Sequence, residues 1–510
     1  MKDELSGRAI QINPRDNVAV ARDLLRPGET LALGDAEIRV QETIQAGHKV
    51  ALVDIPQGGT IIRYGERIGH ASIPIHRGEW IHTHNVESDS RQTDYEYCVD
   101  SRPTEYFPED QIPKFQGYRR ADGTVGTRNY VVVIASVNCS AHVSKQIADV
   151  FEDEPPEGDF HGVVALPHTE GCGMDGGEDL ATLRRTLVGM MMHPNVSGVL
   201  TVGLGCEINN MGEMLQIARP EVAGSERITA ALEVQKSGGT VKTVEAGVRK
   251  VRELIEHARS CRRSEQSARR ILLGLNCGGS DAFSGITANP ALGHASDLVV
   301  RCGGTTVLPE TTEMFGAEHL LVRRAASPEV ADKIVAMIQW YEDYLGRWGV
   351  VADRNPSPGN KKGGLTNIAE KSLGAIVKGG TTRVEDVLQY AERIRKPGLL
   401  LMNTPGYDPV SVTGVVGGGA NVFCFTTGRG TGIGNPIVPV IKIATNPYIF
   451  EQMNDNMDIN AGTILTNEET IEQVGDRIFS KILAVASGEQ TKAEILGHRE
   501  LVIWKVGPYL

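Results

Sequence analysis

The spacing of apolar residues changes character once along the chain, and that change limits the fold more than any single motif. Residues 8–97 carry short alternating or β-branched runs: Ala9-Ile-Gln-Ile-Asn, Ile38-Arg-Val-Gln, His48-Lys-Val-Ala-Leu-Val and Thr60-Ile-Ile-Arg-Tyr. Turn signals at Pro27-Gly28, Gly47, Gly58-Gly59, Gly65 and Gly78 separate them, which predicts a small all-β domain over 1–97. Residues 98–115 hold three prolines and no periodicity, and read as a linker. Beyond 116, apolar runs at 130–135, 162–166 and 199–202 alternate with amphipathic stretches at 141–151 and 178–192. Strands alternating with helices make a mainly parallel α/β body. A charged helical stretch at 246–270 divides that body into 116–265 and 266–510. The pattern resumes at Ile271-Leu-Leu-Gly-Leu, with helical segments expected at 327–346, 383–395 and 467–487.

Composition removes several classes of function. Lysine and arginine number 52 against 64 acidic residues, a net charge of −12, so neither nucleic acid nor an anionic membrane is an expected partner. No apolar run approaches the roughly 18 residues of a membrane-spanning helix, and MKDELSGRAI lacks the profile of a signal peptide. Eight cysteines in 510 residues are too few for a disulfide scaffold; reduced thiols in the cytoplasm are the expectation. The 58 glycines fall in short clusters, which implies tight loops.

Chemistry-bearing residues follow the apolar runs. Cys139, His168 with Cys172, Cys206 with Glu207, and Cys277 with Asp281 each stand just after an expected strand. Open parallel sheets bind ligands outside the carboxyl ends of their strands. Thiolate, imidazole and carboxylate together suit iron(II) or zinc better than magnesium, so Cys139, His168, Cys172, Cys206 and Glu207 form the expected metal set. No C-x-x-C pair points to a structural zinc knuckle. In Trp80-Ile-His82-Thr-His84, an extended strand would turn both imidazoles to one face. Two glycine clusters, Cys277-Gly-Gly-Ser-Asp-Ala-Phe-Ser-Gly and Thr426-Thr-Gly-Arg-Gly-Thr-Gly-Ile-Gly, could gather backbone N–H groups around an oxyanion. Neither is a P-loop or a dinucleotide fingerprint, so no nucleotide cofactor is expected. Arg429 in the second cluster and Lys361-Lys362 put cations on loops suited to a small carboxylate.

These segments resemble the altronate/galactarate dehydratase family of sugar-acid dehydratases over nearly the whole chain. The resemblance is carried by Gly47-His-Lys-Val-Ala-Leu, Arg63-Tyr-Gly, Tyr118-Arg-Arg-Ala-Asp-Gly-Thr-Val-Gly-Thr-Arg-Asn, Gly203-Leu-Gly-Cys-Glu, Cys277-Gly-Gly-Ser-Asp-Ala-Phe-Ser-Gly-Ile-Thr-Ala-Asn-Pro, Asn355-Pro-Ser-Pro-Gly-Asn-Lys and Phe425-Thr-Thr-Gly-Arg-Gly. It implies an SAF-type β-clip domain ahead of a two-part catalytic body, a divalent metal (Fe2+ or Mn2+), and conversion of an aldonate or aldarate to its 2-keto-3-deoxy acid. His82-Thr-His84-Asn85 and Glu313-Met-Phe-Gly-Ala-Glu look like the altronate branch, and Met457-Asp-Ile-Asn-Ala-Gly-Thr like the galactarate branch. Gly430-Thr-Gly-Ile-Gly departs from the Gly-Thr-Pro-Tyr-Gly expected after Arg429. D-altronate is the expected substrate; galactarate, or another small hydroxy acid of the sulfolactate type, is the alternative, and a non-catalytic sugar-acid sensor is a further one. Arg128, Asn129, Ser280, Lys361 and Arg429 are expected to bind substrate. His82 and His84 would act as acid or ligand, Asp281, Glu310 and Asp458 are candidate bases, and a homodimer is expected.

Overall fold

A computed structural model describes residues 7–33, 36–89, 94–153, 159–174, 176–222 and 228–507. The N-terminal unit is built from short antiparallel strands. Ala9–Ile10, Val18–Ala21, Lys49–Ala51 and Trp80–Ile81 form one sheet in that order; Thr60–Arg63, Glu66–Ala71 and Val86–Glu87 form another. One side of the unit buries Leu31, Ile38, Ile44 and Val50 on itself. The other side has no core of its own: Ile61, Ile68 and Ile81 pack into the same apolar cluster as Met314, Phe315 and Leu321 of the body. Burying each such side chain is worth about 1.5–3 kcal/mol, so the small domain is held to the body hydrophobically.

Polar contacts fix the orientation of that docking. The Lys49 ammonium donates to both Glu370 oxygens at 2.9 and 3.0 Å and to the Gly364 carbonyl at 2.8 Å. Arg63 pairs with the same carboxylate and donates to the Ala282 carbonyl at 2.8 Å. All three charged side chains are fully buried. Burial alone would push the Glu370 carboxyl up, but Lys49 and Arg63 hold it down at about 2.

The segment between the units carries no strand or helix over 98–108, yet its backbone is fastened to the body. Cys98 N–H donates to the Val322 carbonyl, Asp100 N–H to Arg323 and Phe107 N–H to Arg301. Strand Lys114–Arg119 then pairs antiparallel with Ser264–Ser267, tying the start of the second unit to the start of the third.

Two parallel sheets follow. The first has the order Val163–Leu166, Tyr130–Ala135, Val196–Gly203, Ile228–Glu233. Helices Asn138–Asp149 and Thr240–Ser260 cover one face, and Glu178–Met191 the other. Helix Glu178–Met191 meets helix Asp408–Gly417 of the third unit at Gly189, where a Cβ would lie 1.9 Å from the Gly417 carbonyl oxygen; only glycine permits that approach.

The second parallel sheet has seven strands: Val384–Leu388, Gly398–Met402, Thr305–Leu308, Leu272–Cys277, Val422–Thr427, Val440–Ala444 and Ile459–Asn460. The segment expected as a helix at 383–395 is instead the edge strand Val384–Leu388. Its apolar residues satisfy a helical spacing, but burial alternates strictly through Val384, Asp386 and Leu388, and pairing with Gly398–Met402 supplies its hydrogen bonds. The helices expected at 327–346 and 467–487 are present as Pro328–Arg347 and Ile471–Ala486. Among the described residues, no helix is long and apolar enough to cross a membrane.

Candidate active site

In the seven-stranded sheet the chain starts at Leu272–Cys277, adds three strands on one side, then returns to that strand and builds outward on the other. Strand order therefore reverses between Leu272–Cys277 and Val422–Thr427, and loops leaving the two strands must diverge, opening a crevice at their carboxyl ends. Those loops are the two glycine clusters. They are zipped together by Gly278 N–H to the Thr426 carbonyl at 3.1 Å and Gly428 N–H to the Gly279 carbonyl at 3.2 Å.

Asp281 closes the first loop and is 7% exposed. Its Oδ1 accepts from Ser284 N–H at 2.9 Å, Ser284 Oγ at 3.0 Å and Thr445 Oγ1 at 3.1 Å, while Oδ2 accepts from Asn446 Nδ2 at 3.1 Å. Burial raises its pKa, and the donors from Ser284, Thr445 and Asn446 only partly offset this. The carboxylate is thus both aimed and more basic than an aspartate in water. A Cβ at position 428 would lie 2.2 Å from Asp281 Cγ, so the Gly428 backbone has to be bare for the loops to close around this group.

Asp281 borders a cleft of about 800 Å³ with walls from two domains. Arg429 and Lys362 stand on the body side, and Arg22 and Ala46 on the N-terminal side. Of the two adjacent lysines it is Lys362 that lines the cleft; Lys361 is half-buried in the short helix Pro358–Lys362. The Lys362 carbonyl contacts His48 Nε2 at 3.2 Å, and His48 Nδ1 receives the Trp80 indole N–H at 3.1 Å. Both His48 nitrogens are therefore used in one neutral tautomer. Strand Trp80–Ile81 ends before the paired histidines, so strand alternation does not apply to them: His82 to Asn85 form a turn closed by Asn85 N–H to the His82 carbonyl. His82 stacks on Trp80 at 5.3 Å between centroids, its Nδ1 buried without a partner, and burial, then Lys49 and His48, push its pKa down to about 3. His84 is exposed against the same indole.

At the inner end of the same loop lies a buried charge network. Lys378 Nζ sits 3.2 Å from Cys277 Sγ and 3.0 Å from Glu310 Oε2. Cys277 Sγ is 3.2 Å from Glu313 Oε2, and Lys371 Nζ donates to Glu313 Oε1 at 2.5 Å. Asn276 Nδ2 bridges Glu310 and Asp408, each at 3.1 Å. Cys277, Glu310 and Glu313 each offer a ligand atom within 4.8 Å of the others, a group that could hold a metal ion. Four acidic groups here face two ammonium groups, so the fully ionised set lacks the charge of one divalent cation. The deficit registers as pKa values raised by burial and mutual repulsion: Glu310 up to about 7, Cys277 and Asp408 well above their ordinary values. Asn276 Oδ1 is buried beside them without a partner. A thiolate with two carboxylates is a donor set for a divalent metal, so these residues fit such an ion.

Of the remaining residues singled out in the sequence, Ser280 alone shares the loop at the cleft and the others lie elsewhere. Arg128 spends its whole guanidinium on Glu494 and on the Thr127, Val485 and Glu489 carbonyls and so joins the second unit to the third, whereas Asn129 bonds the Asp159 and Ala258 carbonyls within the second unit. Asp458 precedes the edge strand Ile459–Asn460 and accepts the Lys442 and Lys492 N–H groups. Ser280 is in the loop at the cleft, its hydroxyl buried without a partner. His168 has both nitrogens engaged, with the Ala135 carbonyl and the Glu170 N–H, while Glu207 accepts from Ser136 Oγ and Gly205 N–H. Cys139, Cys172 and Cys206 are exposed at the carboxyl edge of the four-stranded sheet, apart from these bonds. Sequence reasoning passed over Glu370, Lys371, Lys378 and Asp408. The two lysines stand in an apolar helical stretch, where only the cost of burying an unpaired ammonium could have marked them.

Comparison with known proteins agrees with this architecture. Residues 7–89 match the family model "Altronate/galactarate dehydratase SAF domain", 117–259 match "D-galactarate dehydratase/Altronate hydrolase, second domain", and 268–509 match "D-galactarate/Altronate dehydratase, C-terminal". The chain is 37% identical to the altronate dehydratase of Bacillus subtilis (strain 168), covering 98% of this chain and 99% of that one. It is 40% identical to the galactarate dehydratase (L-threo-forming) of Escherichia coli (strain K12), covering 98% and 97%. It is also 34% identical to the beta subunit of (2R)-sulfolactate sulfo-lyase from Chromohalobacter salexigens, over 77% of this chain and 97% of that one. With an SAF domain, a crevice at the reversal of a parallel sheet and this full-length similarity, the chain belongs to the altronate/galactarate dehydratase family of hydro-lyases.

Proposed function

We propose that this protein dehydrates a sugar acid to its 2-keto-3-deoxy acid in the cleft between Arg429 and Asp281, with D-altronate as substrate. The observation that carries the reading is the convergence of a buried, basic carboxylate and loop cations at the strand-order reversal. Dehydration removes the proton beside the carboxylate, and the carboxylate then approaches a second negative charge. Arg429 holds that carboxylate and becomes more favourable as charge accumulates, while Lys362 adds an exposed point charge that helps to bind it. Asp281, kept in place by Ser284, Thr445 and Asn446, takes the proton from C2. Cys277, Glu310 and Glu313 would hold Fe2+ or Mn2+, which supplies a Lewis acid for the departing 3-hydroxyl. Ketonisation of the enol completes the reaction without a redox cofactor.

One observation favours a second substrate. Arg22 lines the wall opposite Arg429, so a dicarboxylate such as galactarate would meet a cation at each end. Anaerobic protein supplied with iron(II), screened against aldonates and aldarates with semicarbazide detection of 2-keto acid, tests both. Turnover of altronate alone supports the first reading and turnover of galactarate alone the second. No 2-keto acid from any member contradicts the dehydratase assignment.

A further inference from the structure

We propose that Cys139, Cys172 and Cys206 are the three protein ligands of an iron–sulfur cluster at the carboxyl edge of the four-stranded sheet. The argument begins with exposure. Free cysteine is ordinarily among the most buried residues, yet these three of the eight are exposed, and all three belong to the connections leaving the strands of one sheet, Cys139 at the start of a helix and Cys172 and Cys206 in loops.

Those loops are bound to one another directly. Asn138 N–H donates to the Glu170 carbonyl at 2.9 Å, and Asn209 Nδ2 donates to the Ser136 carbonyl at 2.7 Å. Ser136 Oγ donates to Glu207 Oε1 at 2.7 Å. Each cysteine is therefore within three residues of a group tied to a neighbouring cysteine's loop. Strand order in this sheet reverses between Tyr130–Ala135 and Val196–Gly203, so Cys139 and Cys206 flank its crevice.

The surroundings suit a sulfide-bearing anion. Cys172 lies between Gly171 and Gly173, at φ of 100° and 68°, and Gly205 at 123° precedes Cys206. Backbone in such conformations points N–H groups into a concavity, the arrangement found around many iron–sulfur sites. Cys139 lies in the first turn of helix Asn138–Asp149, which no side chain caps. Gln235 Nε2 approaches Cys206 Sγ at 3.5 Å, a donor placed to tune a ligating sulfur.

A single ion is a poorer fit than a cluster. Metal–sulfur bonds of about 2.3 Å would draw three thiolates close together. Among the described residues, the group that closes to within 4.8 Å is Cys277, Glu310 and Glu313, and these three thiols are outside it. His168 and Glu207 are buried and already bonded, which leaves the thiols as the ligands. Each ligation exchanges one S–H proton, released to solvent, for one Fe–S bond. Three thiolates leave one iron of a cubane without a protein ligand, open to a hydroxyl or carboxylate oxygen.

The test uses the full-length chain, reconstituted anaerobically with iron and sulfide and then desalted. Iron and acid-labile sulfide should be retained together with a visible charge-transfer band. Cys139→Ala, Cys172→Ala and Cys206→Ala should each lower labile sulfide at least about tenfold, as loss of a first ligand exceeds that of a supporting one. Cys302→Ala, buried in another core, should retain it. Should an alanine variant fold poorly, alkylation of the wild type decides instead: reconstitution should protect these three thiols and leave them reactive in the apo chain. Wild-type protein without labile sulfide, a triple variant with wild-type sulfide, or uptake of one zinc per chain in place of the cluster would each overturn the proposal.

Discussion

The two parallel sheets share one topological device and use it differently. Each begins with a central strand, builds to one side, and returns to build on the other, so each has a crevice at the carboxyl ends of its central pair. In the seven-stranded sheet that crevice is roofed by the N-terminal domain, and its charged groups are buried: Asp281 among neutral donors, and Glu310 and Glu313 beside Lys378 and Lys371. In the four-stranded sheet it is open, and it presents thiols. Topology decides where a ligand can approach. The loop residues, and what covers them, decide which ligand that is.

The contrast depends on the roof, and removing what fastens it should have the largest effect. Glu370→Gln strands Lys49 and Arg63 in the interior, at an expected cost of about 3–5 kcal/mol. Denaturant unfolding followed by intrinsic fluorescence should show that loss. The carboxyl sits at about 2 when folded against an ordinary 4.5, so its contribution is complete above the ordinary value and disappears as pH falls toward 2. The glutamine variant should lack this acid-dependent component; an unchanged stability–pH curve would mean that the roof is held by its apolar contacts alone.

Next in size is Arg429→Ala, expected to lower kcat/KM roughly 10²-fold, the order seen when one preorganised donor to developing charge is deleted. Arg429→Lys keeps the charge, loses the fork and should fall between. Steady-state kinetics with circular dichroism as the folding control reads both, and silence in both would make the two crevices equally inert. The smallest effect is expected at Lys362, an exposed point charge. Lys362→Met should raise KM by less than about tenfold and leave kcat nearly unchanged, since exposed ion pairs contribute about 0–1 kcal/mol.

Much of this arrangement is legible in the sequence, for reasons that can be named. Buried parallel strands are written as uninterrupted apolar runs, so 130–135 and 271–277 stand out by residue type alone, together with the glycine loops that follow 277 and 427. Asp281 and Arg429 are legible because they stand at the ends of such runs. The edge strand Val384–Leu388 is not, because its residues fit a helical period equally well and only the neighbouring strand decides. Arg128 shows the opposite failure: a distinctive motif can be distinctive because it welds domains, and burial of a fully bonded guanidinium cannot be read from residue order. Lys378 and Glu313 are hidden because their partners lie 68 and 58 residues away in Glu310 and Lys371. Such pairing belongs to the fold.

The central claim is that chemistry occurs in the roofed crevice at Asp281, and Asp281→Asn tests it most directly. Asparagine preserves the shape and, through its carbonyl oxygen, the contacts from Ser284, gives up the acceptor for Asn446 Nδ2, and removes the base. With the altered protein folded, and titration calorimetry showing that sugar acid still binds, kcat for 2-keto acid formation should fall by about 10³-fold, within the range for loss of a positioned general base. A folded, substrate-binding Asp281→Asn protein with kcat within threefold or so of the parent would contradict the account and move the base elsewhere.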